Sequence, residues 1–435
     1  MSSTKFEDFL KKVTSRVKSK EAHSLIKKEL YNHMSELRQT YQKEKMSIED
    51  AEEKAIEKMG NAYTLGDQLN KLHKPRMDWM LTILFVLLSS VSFLLLSGGV
   101  LSLPASYNFI LRQAIWLTLA VIVIVSILFF DYRRLKNGWL FFYVSGFLLL
   151  LYTSLFGTLI NGARRAIWIS DIRLDLTVIC LFLLFLGWAG ISSNMHLFSD
   201  WKKQLLLVGL FWSPLYLFLT LPDFASSIIY AVCTLTMILY SSMPKKVLVK
   251  LVAVNGIVLS FFIFFLWQVR RHSFTTRLTS FLKPEEDPYG YGYIYMVLKD
   301  VFSQARWLGN GFQQDAVIGQ LPDIHTDFAF PYLVYSLGWG FGIVLCFLLL
   351  LFIYRMTMNA FKTHDHFGRI LVIGASALFA LPAVWSILMG LGILPIVGYS
   401  LPFITYGGSR LLFYATLLGL VLNVYRRKDI VESTI

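Results

Sequence analysis

Cysteine is almost missing. There are three in 435 residues, Cys180, Cys233 and Cys346, each inside an apolar run and far from the others. That excludes a disulfide framework and a cysteine-based zinc site, and leaves all three as small buried hydrophobes. Charge is also scarce, at 16% of residues against 55% hydrophobic. Those proportions exclude an ordinary soluble domain and an intrinsically disordered chain. Acid is the scarcer sign, with 28 Asp and Glu against 41 Lys and Arg and a net charge of +13. No basic run interleaves with a soluble fold, so the excess does not point to nucleic acid. Residues 1–78 hold 16 basic and 13 acidic side chains, so most of the excess belongs to the apolar remainder. No cleavable signal peptide is recognisable: residues 1–76 are polar, and the first apolar block reads as a signal anchor.

What the chain has in quantity is apolar sequence in blocks of about 20 residues, the length that crosses a hydrocarbon layer. Ten such blocks run roughly over 79–98, 110–130, 138–157, 174–192, 203–221, 224–242, 247–268, 328–354, 369–392 and 409–425. In lipid the backbone must satisfy its own hydrogen bonds, so the blocks are predicted to be helices. The expected fold class is all-α: a polytopic membrane protein of about ten transmembrane helices behind a small cytoplasmic helical domain. Basic residues mark every second connection: Arg133-Arg134-Leu135-Lys136, Lys202-Lys203, Lys245-Lys246, Arg355 to Arg369, and Arg426-Arg427-Lys428. The positive-inside rule puts these connections and both termini in the cytoplasm.

Residues 1–76 are expected to form a separate three-helix domain. Phe6, Phe9, Leu10, Val13 and Val17 make one helical stripe, and Leu25, Ile26, Leu30, Met34 and Leu37 a second. Ser47 with an acid three residues on resembles a capping box, and Gly60 reads as the stop of the third helix. The membrane part, 77–435, contains one long connection at about 269–327. It opens basic at Arg270, Arg271 and Arg277, turns acidic at Glu285, Glu286 and Asp287, and continues as Tyr289-Gly290-Tyr291-Gly292-Tyr293. A connection of that length is usually functional, and its place in the charge pattern puts it outside the cell.

That loop ends in Leu321-Pro322-Asp323-Ile324-His325-Thr326-Asp327-Phe328, which sets a carboxylate at the mouth of an apolar block. Ionisable groups at that level are costly and need a reason. Asp327 reads two ways, as the N-cap of the next helix or as a reactive group. His325 is a polar loop residue or a partner that orients Asp327, with metal ligation the weaker alternative. Arg164 and Arg165 suit a diphosphate, which guanidinium forks bind bidentately, or the headgroups of surrounding lipid. Asp223 can cap the following helix or face a cavity. The glycines of Tyr406-Gly407-Gly408-Ser409 allow a tight turn whose amides either meet phosphate or simply lead into a helix.

Taken together, Leu321 to Phe328, Asn161-Gly162-Ala163-Arg164-Arg165, Leu221-Pro222-Asp223-Phe224 and Leu401 to Ser409 resemble the SEDS family of RodA-, FtsW- and SpoVE-type glycosyltransferases, over roughly Trp79 to Arg427. Residues 1–76 resemble the prefix domain that precedes some bacterial permease-like membrane proteins. The resemblance implies polymerisation of lipid II into peptidoglycan strands at the outer face of the bacterial plasma membrane, in elongation, division or sporulation. It makes Asp327 the catalytic base and brings Arg164, Arg165, Asp223, His325, Thr326, Tyr406, Gly407, Gly408 and Ser409 toward the substrate. It implies lipid II and an undecaprenyl-diphosphate-linked glycan as substrates and a class B penicillin-binding transpeptidase as partner. A divalent cation, Mg or Mn, would help beside the diphosphate.

The chain departs from the family pattern at several points. Ser303-Gln304-Ala305-Arg306 stands where a Gly-Ser-Gly-Gly element is usual. Ile172-Arg173-Leu174-Asp175 replaces Gln-Pro-Ser-Glu, and the lysine expected one turn later has no counterpart. Ser386 stands for an asparagine. Those changes motivate two alternatives to the enzyme, a non-catalytic scaffold or regulator of cell wall synthesis and a lipid-precursor flippase.

Overall fold

The computed structural model describes residues 4–97, 108–160, 163–169, 172–198, 200–269, 271–312 and 316–428. Asn161, Gly162 and Arg270, singled out above, lie outside the described residues. The chain divides into two compact units: Met1–Asp78 with Lys362–Asp365 and the chain from Val424 onward, and Trp79–Phe361 with His366–Asn423.

The first unit holds α1 (Thr4–Arg16), α2 (His23–Lys43), α3 (Ile48–Met59) and α4 (Ala62–Leu72). The two apolar stripes meet as its core, with Phe6, Val13, Ile26, Met34 and Ala55 fully buried. Ser47 caps α3 by accepting from the Asp50 amide at 3.2 Å. Gly60 ends that helix at φ +77°. The sequence predicts three helices here and the structure has four. Asn61 follows the stop at once and caps a further helix, its Oδ1 accepting from the Tyr63 amide at 2.9 Å. A glycine stop and a new cap on adjacent residues leave no loop to read, and α4 is short and polar.

The second unit begins with α5 (Trp79–Ser97), α6 (Phe109–Phe129) and α7 (Trp139–Phe156). A three-stranded antiparallel ribbon follows, β1 (Thr158–Ile160), β2 (Ala163–Ile169) and β3 (Ile172–Asp175), in the order β1-β2-β3. Then come α8 (Leu176–Ser193), α9 (Trp201–Thr220), α10 (Phe224–Leu239), α11 (Lys245–Val269), α12 (Arg271–Leu282), α13 (Tyr293–Gln304), α14 (Ala329–Leu337), α15 (Trp339–Phe361), α16 (His366–Gly390) and α17 (Gly408–Arg427). Each of the ten apolar blocks carries a helix. Among the described residues eight helical spans are long and apolar enough to cross a membrane, and α10 is a shorter apolar helix. The protein is thus an all-α polytopic membrane protein. Its interior is built on α8, α16 and α17, while α6, α7 and α15 bury less than a third of their residues.

Two segments differ from the sequence reading. The block at 328–354 is two helices. α14 stops after Leu337, and the chain turns at Gly338 with φ +94°. The turn is stitched to the preceding loop: Trp339 N donates to Arg306 O at 3.1 Å, and Gly311 N donates to Ser336 O at 3.0 Å. A Cβ on Gly338 would stand 2.2 Å from the Trp307 carbonyl oxygen, so both the turn and the approach require glycine. The second segment is the long connection, which is folded around α12 and α13. Val297, Leu298 and Val301 of α13 are buried, and the Tyr295 hydroxyl accepts from the Ile396 amide at 3.1 Å.

Gly338→Ala is therefore expected to destabilise the fold by about 2 kcal/mol or more, through positive-φ strain and the carbonyl clash. Gly209→Ala in α9 is the control. A Cβ there meets nothing within 4 Å, and helix propensity favours alanine by roughly 1 kcal/mol. Thermal unfolding of the detergent-purified variants should move in opposite directions; a common direction would contradict this account of the break.

Candidate active site

Asp327 does not cap α14. The N-cap position is Phe328, and no side chain caps the helix. The preceding turn is organised by the Asp323 carbonyl, which accepts from Thr326 N at 2.9 Å, Phe328 N at 3.2 Å and Thr326 Oγ1 at 3.3 Å. Asp323 itself sits at φ +48°, the left-handed region that aspartate tolerates. The Asp327 side chain is left to face Gly398 and Arg410. Its Oδ1 lies 3.7 Å from Arg410 Nη1. Its Oδ2 would be 3.3 Å from a Cβ on Gly398.

Arg410 lies one residue past the Leu401 to Ser409 motif. α17 starts at Gly408, which places its guanidinium in the first turn of a membrane span. Such a residue is a functional candidate by its depth alone. Arg410 Nη1 also donates to Ser400 Oγ at 2.9 Å. The start of α17 is fixed tightly, because a Cβ on Gly408 would fall 2.2 Å from the Trp116 ring. Tyr406 N donates to the His325 carbonyl at 2.9 Å, which ties the Asp327 loop to this turn.

The His325 ring packs near Phe109 and Tyr406, with centroids 6.5 and 6.4 Å apart. Among the described residues no hydrogen bond joins it to Asp327, which corrects the expectation that it orients the carboxylate. The Thr326 hydroxyl is likewise committed to its own turn.

The two arginines part company. Adjacent residues of a strand point to opposite faces, and β2 sends Arg165 inward and Arg164 away. Arg165 Nη2 donates to Asp223 Oδ1 at 2.9 Å, with side chains 18% and 1% exposed. Arg164 Nη1 donates to the Ser154 and Leu155 carbonyls, both at 2.9 Å, and so closes the C-terminus of α7. The sequence treated them as one cluster, and the structure brings only Arg165 to the site. Of the two readings of Asp223, the structure shows the cap: it accepts from Ser226 N at 3.1 Å and Ser226 Oγ at 2.7 Å at the start of α10. It is not among the residues lining the cavity described below, and pairs instead with Arg165, which is. Asp175 caps α8, accepting from Thr177 N at 3.1 Å and Thr177 Oγ1 at 2.6 Å. Its amide donates to Ser409 Oγ at 3.4 Å.

Arg165, Asp175 and Arg410 border a small cavity of about 50 Å³ between β2, α8, α10, α16 and α17. Arg165, Asp175, Tyr399, Ser400 and Arg410 give it polar walls; Leu181, Ile229 and Phe413 give it apolar ones. Asp327 stands beside it, against Gly398 and Arg410. Val178, one turn after Asp175 where the family resemblance calls for lysine, also lines it. The cations of this cavity come instead from Arg165 and Arg410. Arg165 Nε is buried and has no hydrogen-bond partner among the described residues.

Burial raises the Asp327 carboxyl above the ordinary aspartate range, and Asp323 adds to this; Arg410 first and Arg165 second act against it. A base that must be ionised should therefore lose activity as pH falls through a value above about 4. The sign follows from protonation: the acid form dominates below the shifted value and cannot accept a proton. A profile flat down to the unperturbed range would contradict the burial of this group.

The donor set does not fit a protein-held divalent cation. Among the described residues no three His, Cys, Asp or Glu side chains converge. The strongest charge facing Asp327 is a guanidinium.

A helical membrane bundle with charged residues gathered at one end, and a carboxylate there that is free of any capping duty, defines a polytopic membrane protein with a polar site set among its helix ends. The chain belongs to the FtsW/RodA/SpoVE family, described as cell cycle protein, whose sequence model matches residues 75–430. Among its relatives, the probable peptidoglycan glycosyltransferase FtsW of Acinetobacter baylyi is 26% identical over 389 residues, covering 84% of this chain and 95% of that protein. The peptidoglycan glycosyltransferase MrdB of Escherichia coli K12 is 27% identical over 306 residues, 69% of this chain and 82% of the other. In fold the chain resembles one from a peptidoglycan synthase complex that coordinates polymerization and crosslinking, with a TM-score of 0.67, 23% identity, and coverage of 81% of this chain and 98% of that one. It also resembles the rod shape determining protein RodA of Thermus thermophilus, with a TM-score of 0.58, 20% identity and coverage of 81% and 97%.

Proposed function

We propose that this chain is a peptidoglycan glycosyltransferase that polymerises lipid II, with Asp327 as its general base. The observation that carries the reading is the Asp327 carboxylate itself, excused from capping α14 and turned to Arg410 beside the cavity. In the reaction Asp327 takes the proton from the sugar 4-hydroxyl of a lipid II acceptor. The freed oxygen attacks the anomeric carbon of the growing glycan, forming the glycosidic bond. The bond from that carbon to phosphate breaks, and undecaprenyl diphosphate leaves with the electron pair. Arg165, with a buried Nε unpaired among the described residues, is suited to the diphosphate; Asp223 keeps its guanidinium in place. Arg164, His325, Thr326 and the Tyr406 to Ser409 turn shape the site's rim and its helix ends. The positive-inside pattern supports cytoplasmic termini and a site on the outer face of the plasma membrane. A class B penicillin-binding transpeptidase is the proposed partner, and residues 1–76 the regulatory or docking module.

The test is incubation of the purified protein with labelled lipid II, alone and with a co-purified class B transpeptidase. Muramidase-sensitive strands support the reading. Unchanged lipid II in both, together with transbilayer movement of a labelled analogue in proteoliposomes, would replace it with a flippase.

A further inference from the structure

We propose that Arg410 is the resident cation of this site, a positioning residue that holds and charge-balances Asp327 and so occupies the place a divalent metal ion would take. The proposal rests on the glycosyltransferase reading above and deepens it.

Four observations carry it. Arg410 projects from the first turn of a membrane span, where an unpaired charge is costly and demands a partner. Of the site's carboxylates, Asp223 is committed to Arg165 and Ser226, and Asp175 to Thr177. Asp327 is the one for which Arg410 is the close ion-pair partner, at 3.7 Å. Second, the guanidinium is held from behind. Ser400 Oγ takes a hydrogen bond from Nη1 at 2.9 Å, and Gly408 pins the start of the helix against Trp116. Third, the pair is loose enough to serve chemistry: 3.7 Å leaves the carboxylate room to turn to an incoming hydroxyl. Fourth, the surroundings favour a guanidinium over a metal ion. The charged groups facing Asp327 are Arg410 from α17, Arg165 from β2 and Asp323 from its own loop. Two of the three are cations, and no donor cluster for a metal converges among the described residues. Arg410 therefore keeps Asp327 in its proton-accepting form against the effect of burial. It does so from within the chain, without the metal's need for carboxylate ligands.

Two measurements decide this, and they fail separately. The first does not involve the reaction. Thermal unfolding is measured for the detergent-purified protein, Asp327→Asn, Arg410→Gln and the double variant. A direct pair predicts that the double variant loses less than the two single losses combined, because each single change already removes the interaction. Simple additivity would overturn the pairing, whether or not the protein polymerises lipid II.

The second is lipid II polymerisation across pH, with chelator or with added Mg. The wild type should be insensitive to chelator. Arg410→Gln should lose on the order of 100-fold in kcat at neutral pH with KM little changed. Its acid limb should move to higher pH, and added Mg should restore part of the loss. Arg410→Lys should keep most of the activity. A wild type silenced by chelator, or an Arg410→Gln enzyme whose acid limb does not move, would overturn the proposal. A wild type with no polymerase activity would remove the functional reading, leaving the unfolding cycle to judge the pair.

Discussion

Asp327→Asn is expected to reduce glycan polymerisation by about 10²- to 10⁴-fold, the range general-base catalysis contributes. The change keeps the shape of the side chain and removes its capacity to take a proton. It should leave the protein folded and inserted, because the carboxylate carries no capping duty. It does not cap α14, and the turn before it is held by the Asp323 carbonyl. The contact with Arg410 is long, at 3.7 Å. The loss should therefore appear in kcat, and far exceed what the modest fall in the unfolding midpoint from loss of that contact accounts for. Asp327→Glu is the informative companion. It keeps the base but pushes it toward Gly398, where a Cβ would already be 3.3 Å from Oδ2. It should recover activity only in part.

The second large effect is on stability. Asp223→Ala removes the carboxylate that faces Arg165 at 2.9 Å, and it is itself 1% exposed. Breaking such a pair from one side leaves a buried charge without its partner, at a cost of about 3–5 kcal/mol. Loss of the α10 cap adds roughly 1 kcal/mol. The detergent-purified variant should unfold well below the wild type. Asp223→Asn should be milder, since an amide oxygen can still accept from the Ser226 amide. Removing both charges, as Arg165→Met with Asp223→Ala, should recover part of the stability while abolishing activity. A double variant as unstable as Asp223→Ala alone would show that the penalty lies in the cap and not in the charge.

Much of the fold was legible because hydrocarbon thickness sets helix length, so apolar blocks of the right size identify themselves. The break at Gly338 was not legible. The run from Phe328 to Leu351 has no charged residue to interrupt it, and the signal was backbone conformation at one glycine. The ribbon β1–β3 was hidden for the same reason that Arg164 and Arg165 were misread as one cluster. Adjacent arginines look equivalent until a strand assigns them opposite faces. The fourth helix of the N-terminal unit was lost because stop and start, Gly60 and Asn61, are neighbours.

In the site, sequence could name Asp327 but not decide between cap and base, because an N-cap is defined by backbone geometry that no motif states. His325 two residues away looked like a partner; the turn points its ring at Phe109 and Tyr406 instead. Arg410 was readable in principle. It is the lone charged residue of the stretch from Gly408 to Tyr425, and an ionisable group inside a membrane helix is a signal on its own. Its role was not readable, since the residues that define it, Ser400 and Asp327, are 10 and 83 positions away in the chain.

The most direct test of the central claim compares wild type and Asp327→Asn on labelled lipid II, at equal amounts of folded protein and well below both unfolding midpoints. The account predicts long muramidase-sensitive strands from the wild type and none above background from the variant. Strands of equal length and yield from both proteins would contradict it, and would remove Asp327 from the chemistry of this site.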